Sequence, residues 1–204
     1  MKRVIFYLLI LAFASLTSAL LGLTEPLAEN SKLWLSPPQS TGQGEIIFQQ
    51  PLLLTSAGQS PEIQLAAVLA KRAGLQYQLA PMAKAEELKE FKTLGLVVGA
   101  SLKGLGAAGI DINKEKARVK ELLEEAAKRK IPVLFLHLGG DQRRGELTDA
   151  LVTEYLASAR LAVILKSADN DGLFSKICQQ HKIPLRTVEK TAEVSQVLKE
   201  IFSQ

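Results

Sequence analysis

The stretch PLLLTSAGQSPE, residues 51–62, carries the signals that decide the fold: an apolar run, a polar turn and a helix start. The apolar run Pro51–Thr55 predicts a strand that is buried on both faces. Ser60, Pro61 and Glu62 then supply a capping hydroxyl, a proline suited to the first helical position and an acid facing the positive end of the helix dipole. A buried strand followed at once by a helix is the repeating unit of a parallel α/β sheet.

The chain repeats this alternation of strand and helix signals to its end. Apolar runs predict further strands at 75–79, 93–98, 131–138, 161–165 and, more weakly, 184–188. Apolar residues spaced by three and four predict the helices between them. The predicted fold class is α/β: a three-layer, doubly wound, mostly parallel sheet of five to six strands, Rossmann-like or flavodoxin-like. We predict the strand order 2-1-3-4-5, with the sixth strand at the edge.

The N-terminal part of the chain is expected to lie outside this domain. Residues 1–23 carry Lys2 and Arg3 ahead of a long apolar run, which is typical of a signal peptide or an uncleaved signal anchor. Residues 24–44 are polar and contain several Pro and Gly, as linkers do, so the folded domain is predicted to be 45–204. We therefore predict an exported protein, extracellular or periplasmic, that touches a membrane only if the N-terminal segment is uncleaved.

Composition argues against several classes of partner. Without residues 1–19, 23 Lys and Arg face 21 Asp and Glu, and a net charge of +2 gives no reason to expect nucleic acid binding. Cys178 is the one cysteine, so an intramolecular disulfide is excluded, and two distant histidines make a metal site unexpected. The stretch DNDG lacks the remaining ligands of a calcium loop, and Asp169 or Asp171 is interpreted as a helix cap.

In doubly wound sheets, ligands bind beyond the carboxyl ends of the strands. Four predicted loops at that edge are rich in Gly, Ser, Arg and Asp: residues 56–60, 99–111, 139–145 and 167–172. We expect their backbone N–H groups, the Lys103 ammonium, the Arg143 guanidinium and the helix opened by Ser60 to cradle a small anion, either a carboxylate or a phosphate. The candidate ligand-binding residues are Ser56, Gly58, Gln59, Ser101, Lys103, Gly104, Gly106, His137, Gly140 and Arg143.

The stretch GLGAAG, residues 104–109, has the spacing of a dinucleotide-binding fingerprint. It follows the third predicted strand instead of the first, and the acids at the expected distance, Glu124 and Glu125, lie within a predicted helix. We therefore expect neither NAD nor FAD, and no other cofactor. Two interpretations stay open: a flexible loop whose glycines adopt positive φ, and one wall of the anion pocket.

Arg143 and Arg144 also have two interpretations. Their guanidinium groups suit a carboxylate or phosphate ligand at the sheet edge. Alternatively, they pair with Asp141 and Glu146 on a solvated surface.

A serine hydrolase is an alternative function. Ser56 or Ser101 would be the nucleophile, His137 the base, and Asp169 or Asp171 the orienting acid. The chain has no G-x-S-x-G nucleophile elbow, which argues against this grouping. The phase of His137 within its strand instead favours a hydrogen-bonded histidine in the core.

Four segments resemble an exported bacterial family known as a domain of unknown function, the family numbered 6305. The resemblance extends over about residues 50–204 and rests on PLLLTSAGQSPE, VVGASLKGLGAAGIDINKE, GGDQRRGELTD and DNDGLFSKI. It implies a secreted Rossmann-like domain, and it implies no activity, substrate or catalytic residue.

Three hypotheses of function follow from these observations. The first is an extracytoplasmic binding domain, not an enzyme, that takes a small anionic ligand at the carboxyl edge of its sheet. The alternatives are the serine-dependent hydrolase and a non-catalytic accessory component of a cell-envelope complex. The sequence does not point to any particular protein partner.

Overall fold

Six strands form one parallel sheet. The computed structural model describes residues 48–202, and each pair of neighbouring strands is parallel. The strand order β2-β1-β3-β4-β5-β6 confirms the predicted fold class and the predicted strand order. The strands are β1 (Leu52–Ala57), β2 (Tyr77–Leu79), β3 (Thr93–Val98), β4 (Val133–His137), β5 (Leu161–Leu165) and β6 (Leu185–Val188). The predicted signal segment 1–23, the linker 24–44 and the domain start at residue 45 lie outside the described residues.

Helices cover both faces of the sheet. They are α1 (Glu62–Arg72), α2 (Leu102–Ala107), α3 (Ile112–Arg129), α4 (Glu146–Tyr155), α5 (Leu173–His181) and α6 (Val194–Ile201). Strand side chains alternate between two apolar layers: Leu53 packs with α3, α4 and α5, whereas Leu52 and Leu54 pack with α1 and α6. Within residues 48–202, none of these helices combines the length and the apolar character needed to cross a bilayer.

The sheet changes winding direction between β1 and β3. From β1 the chain passes through α1 to β2 on one side, and from β3 it passes through α3 to β4 on the other. β1 and β3 pair in register up to Ala57 and Val98, so both strands end at the same level. The loops that follow them are therefore neighbours, at the place where doubly wound sheets usually bind ligands.

Two strands are shorter than predicted because the preceding helix uses the residues before them. Leu75 donates its backbone N–H to Ala70 and closes the end of α1, so β2 begins at Tyr77. Ile131 does the same to Ala126 at the end of α3, and Pro132 has no N–H, so β4 begins at Val133. Apolarity alone does not separate a helix stop from a strand start.

The prediction of a flexible loop at GLGAAG is wrong. Residues 102–107 form the short helix α2, and Gly104 and Gly106 have helical backbone conformations. The helix begins because Ser101 Oγ accepts a hydrogen bond from the Gly104 N–H at 3.1 Å. Gly109, with φ +69°, ends it.

Candidate functional site

The crevice between the loops after β1 and β3 is filled by the chain itself. The Ser101 N–H donates to the Gly58 carbonyl at 2.8 Å, and Gln59 forms an antiparallel bridge with Ala100. Helix α2 lies so close to the first loop that a Cβ at Gly104 would be 1.9 Å from the Gln59 carbonyl oxygen. A dinucleotide therefore has no room here, and Gly104 is required by packing between loops.

The loop after β1 does hold an anion, but the anion is a side chain of the protein. Glu115, on α3, is fully buried. Its Oε1 accepts hydrogen bonds from the Gly58 N–H at 2.9 Å and from Gln59 Nε2 at 3.0 Å. The prediction that Gly58 and Gln59 bind an external anion is therefore corrected, because both donors are already used.

Arg118 neutralises this buried carboxylate and ties it to β1. Its Nε donates to Glu115 Oε2, and its Nη2 to Glu115 Oε1, both at 2.9 Å. The same guanidinium donates to the carbonyls of Ser56 and Ala83 and to Thr55 Oγ1. The hydrogen bonds from Gly58 and Gln59 end on Glu115, and those to Thr55 and Ser56 come from Arg118. The Glu115–Arg118 pair therefore holds the loop after β1 in place.

Sequence reasoning missed this pair, although a signal was present. Glu115 lies on the helix face of Val119, Leu122 and Ala126, at spacings of four, three and four. An acid in an apolar stripe must have a partner when it is buried. Arg118, three residues further along the same helix, is that partner.

The serines proposed as nucleophiles are not placed for catalysis. Ser56 is fully buried within β1, and its Oγ has no hydrogen-bond partner among the described residues. Ser101 Oγ is occupied as the cap of α2. Ser60 was predicted to cap α1, and this is wrong: the helix begins at Glu62, Pro61 takes the capping position, and no side chain caps it.

His137 is a core residue that joins two loops. The fully buried ring places Nδ1 2.9 Å from the Val98 carbonyl oxygen and Nε2 3.1 Å from the Gly140 carbonyl oxygen. Burial lowers the pKa of the imidazole, and the two carbonyls only partly oppose this. Both ring nitrogens face the backbone and not a serine hydroxyl, so His137 belongs to the core and not to a ligand or catalytic site.

The acids after β5 cap α5, as one interpretation predicted. Asp169 Oδ1 accepts from the Phe174 N–H at 2.8 Å, and Asp171 Oδ1 from the Leu173 N–H at 3.1 Å. Over residues 48–202, no three His, Cys, Asp or Glu side chains are grouped as a metal site would require.

Arg143 connects the loops after β3 and β4 to α1. Its Nε donates to Glu62 Oε1 at 2.9 Å. Its stem lies over two glycines, because a Cβ at Gly139 would be 2.3 Å from Arg143 Cβ and one at Gly99 would be 3.0 Å from Arg143 Cγ. Partial burial raises the pKa of Glu62, but the neighbouring Ser60 hydroxyl and Arg143 together hold it below its usual value.

Arg144 is fully engaged in two ion pairs. Its Nε donates to Asp149 Oδ1 at 2.6 Å and its Nη2 to Asp171 Oδ2 at 2.8 Å. The hydrogen bond from Arg144 lowers the pKa of Asp171 to about 2. The alternative in which the two arginines pair with Asp141 and Glu146 is therefore wrong, because their carboxylate partners are Glu62, Asp149 and Asp171.

A cleft at the carboxyl edge is lined by Arg143. It has a volume of about 260 Å³ and lies between the end of β3 and the start of α4. Thr148 Oγ1 accepts from the Ala100 N–H at 3.0 Å and joins its two walls. Leu102, on one rim, is 73% exposed.

Of the candidate residues, Arg143 is the one that lines this cleft. Lys103 and Gly106 are exposed on α2. Gly140 adopts a φ of +60° and approaches the Ser167 hydroxyl, where a Cβ would be at 2.6 Å. The structure thus brings the four loops to one edge but leaves only part of that edge accessible.

A family model matches most of the chain. The sequence model described as Domain of unknown function (DUF6305) matches residues 49–202. The chain belongs to this family. The DUF6305 match includes the whole sheet, the Glu115–Arg118 pair and the cleft beside Arg143. No curated protein matches the chain significantly.

Among solved structures, those of esterase AlinE4 show a low structural similarity to the chain. One AlinE4 mutant is 11% identical, with 72% of this chain and 78% of that chain covered and a TM-score of 0.28. A second mutant is 14% identical, with 74% and 79% covered and a TM-score of 0.28. AlinE4 itself, titled an SGNH-hydrolase family esterase, is 14% identical with the same coverage and a TM-score of 0.27. With these TM-scores, neither a fold nor an activity is carried over to this member of DUF6305.

Proposed function

We propose that this chain is an extracytoplasmic binding domain that takes a small monocarboxylate in the cleft between the end of β3 and the start of α4. The observation that carries the proposal is the hydrogen bonding of the Arg143 guanidinium. Its Nε is fixed by Glu62, and no described residue accepts a hydrogen bond from either of its Nη atoms. A guanidinium held in this way offers two parallel donors to a carboxylate.

The start of α4 supports an anionic ligand at the same place. Glu146, Leu147 and Thr148, the first residues of the helix, line the cleft, and no side chain caps the helix. Backbone N–H groups in a first helical turn have no partner within the helix. Together with the positive end of the helix dipole, they favour a negatively charged group.

The surrounding charges favour a single negative charge over a phosphate. Arg144 is already neutralised by Asp149 and Asp171, and Glu146 adds a carboxylate to the wall. A doubly charged phosphate would meet Glu146 on the wall, and both arginines of the cleft, Arg143 and Arg144, are already paired with carboxylates.

The rim also favours a ligand with an apolar part. Leu102 is 73% exposed, and Leu147 and Ala100 line the same cleft. An exposed leucine beside a fixed arginine suits a carboxylate that carries a short hydrocarbon tail. Butyrate, hexanoate and benzoate are therefore the appropriate probes.

The test is ligand titration of the full-length chain, followed by thermal unfolding and calorimetry. We expect hexanoate to raise the Tm of the wild type and inorganic phosphate to have no effect at the same concentration. Arg143→Gln should weaken hexanoate binding about tenfold or more, since a charge-assisted bond is lost. Leu102→Ser should weaken hexanoate more than acetate.

Arg160→Gln is the matched control, because this exposed arginine lies at the start of β5, away from the cleft. It should bind hexanoate as the wild type does. The proposal fails if none of the carboxylates binds the wild type, or if Arg143→Gln and Arg160→Gln bind hexanoate equally well.

A further inference from the structure

A second cleft opens at the opposite edge of the sheet, where the strands begin. Its volume is about 430 Å³, and it lies between residues 88–92 and the end of α3. Four cationic side chains stand around it: Lys89, Lys92, Arg129 and Lys130. Among the described residues that line it, none is an Asp or a Glu.

The charges on this rim are only partly compensated. Arg129 pairs with Glu125. Lys89 Nζ lies 3.9 Å from Glu90 Oε1, and both side chains are mostly exposed, so solvent screens this pair. Within residues 48–202, no carboxylate pairs with Lys92 or Lys130.

The positive charge of this cleft is explained in part by the end of α3. Cations near the last turn of α3 are stabilised by the negative end of the helix dipole, which explains Arg129 and Lys130. Lys89 lies in the last turn of a separate short 3₁₀-helix, Ala85–Glu90, whose end explains it in the same way, whereas Lys92 lies beyond that helix and has no such explanation. Lys92 is held at the cleft by its backbone N–H, which donates to the Pro51 carbonyl at 3.0 Å.

The accessible lining of the cleft is mainly polar. Leu88 is fully buried and Phe91 is 8% exposed, so both offer little surface to a ligand, and Ile131 and Pro132 form the apolar part of the wall. A cleft of this volume is within the range of about 300–1,000 Å³ that small-molecule sites occupy. Its cationic rim suits a molecule with more than one negative charge, and Ile131 and Pro132 leave room for a small organic part.

We propose that this amino-edge cleft is a second binding site, which recognises a phosphate group attached to a small organic molecule or a lipid. The two flexible ammonium groups of Lys92 and Lys130 come from separate segments and can approach a phosphate as point charges from two directions. No carboxylate on the wall opposes a dianion here, in contrast to the cleft beside Arg143.

Calorimetric titration of the full-length chain with phenyl phosphate and pyrophosphate tests the site. We expect saturable binding to the wild type that weakens as salt is added. Lys92→Gln/Lys130→Gln should bind phenyl phosphate about tenfold or more weakly. All these side chains are exposed, and far-ultraviolet circular dichroism of each variant checks that its fold is intact.

The matched control is Lys182→Gln/Lys190→Gln, which removes the same charge outside the cleft. Lys182 ends α5 in the same left-handed conformation in which Lys130 ends α3, with φ values of +56° and +58°. This control should bind phenyl phosphate within about twofold of the wild type. Arg143→Gln should also leave this binding unchanged, which separates the site from the proposed carboxylate site.

Vesicles distinguish the two sources of the phosphate. Phosphatidylglycerol vesicles should recruit the wild type more strongly than Lys92→Gln/Lys130→Gln if a lipid headgroup is the ligand, whereas phosphatidylcholine vesicles should recruit both equally. If only the soluble phosphates separate the two proteins, the ligand is a free phosphate compound. If neither phenyl phosphate, pyrophosphate nor phosphatidylglycerol distinguishes wild type from variant, the proposal is overturned.

Discussion

At the level of single residues, Gly104 packs against the Gln59 carbonyl and leaves no room for a side chain. Gly104 and Gly106 both lie within α2, so their backbone requirements are alike. Their surroundings differ: a Cβ at Gly104 would be 1.9 Å from the Gln59 oxygen, whereas a Cβ at Gly106 meets nothing within 4 Å. Alanine substitutions at the two glycines therefore distinguish the effect of packing on stability from the effect of helix propensity.

We expect Gly104→Ala to destabilise the fold by about 1–3 kcal/mol, because the methyl group meets a backbone atom that cannot move away alone. Gly106→Ala should be neutral or should stabilise by up to about 1 kcal/mol, as alanine favours a helix. Urea unfolding of both variants measures the difference. Equal free energies of unfolding for the two variants would show that α2 is not pressed against the loop after β1.

At the level of elements, α3 is fixed to β1 by the Glu115–Arg118 pair. The Glu115 side chain is fully buried and that of Arg118 is 12% exposed, whereas Lys120 and Glu124 on the same helix are 70% and 67% exposed and 4.0 Å apart. Solvent and salt screen the second pair but hardly reach the first. Removing one partner of the buried pair leaves an uncompensated guanidinium.

Glu115→Gln should therefore lower the free energy of unfolding by about 3–5 kcal/mol. Glu124→Gln, the matched change on the exposed face, should cost less than about 1 kcal/mol. Hydrogen exchange of Glu115→Ala provides a second readout, because this change removes the acceptor of the Gly58 N–H and should lower the protection of that amide, whereas Glu124→Ala should not. A Gly58 amide that stays protected in Glu115→Ala would contradict this account of the loop.

These elements also show how much of the structure could be predicted from the sequence. Apolar runs and helical spacing predicted each strand and the long helices, because those patterns report burial directly. GLGAAG was interpreted as a loop with positive-φ glycines or as a wall of an anion pocket, whereas residues 102–107 are helical and only Gly109 of this stretch has a positive φ. The four loops were correctly expected at one edge. The contact between Glu115 and Gly58 spans 57 residues of sequence, and local patterns carry no information about such a partner.

At the level of the whole molecule, the His137 ring lies between the end of β3 and the loop after β4, with Nδ1 facing the Val98 carbonyl and Nε2 facing the Gly140 carbonyl. The neutral ring donates to one of these carbonyls only. Burial lowers the pKa of His137 below its ordinary value of 6.5, the carbonyls raise it in part, and the Arg144 charge lowers it further. The unfolded chain therefore binds a proton at a higher pH than the folded chain. It follows that the contribution of His137 to stability is constant above about pH 7 and decreases as the pH falls through 6.5 towards the lowered pKa.

Chemical denaturation between pH 7.5 and 5 should show this decrease, with a slope of at most about 1.4 kcal/mol per pH unit from this group. In His137→Gln the slope should become shallower by that contribution, whatever the absolute stability of the variant. His181→Gln replaces the other histidine of the chain, which is exposed on the last turn of α5, and should keep the wild-type slope. If His137→Gln and the wild type lose stability in parallel as the pH falls, the buried imidazole does not couple proton binding to folding.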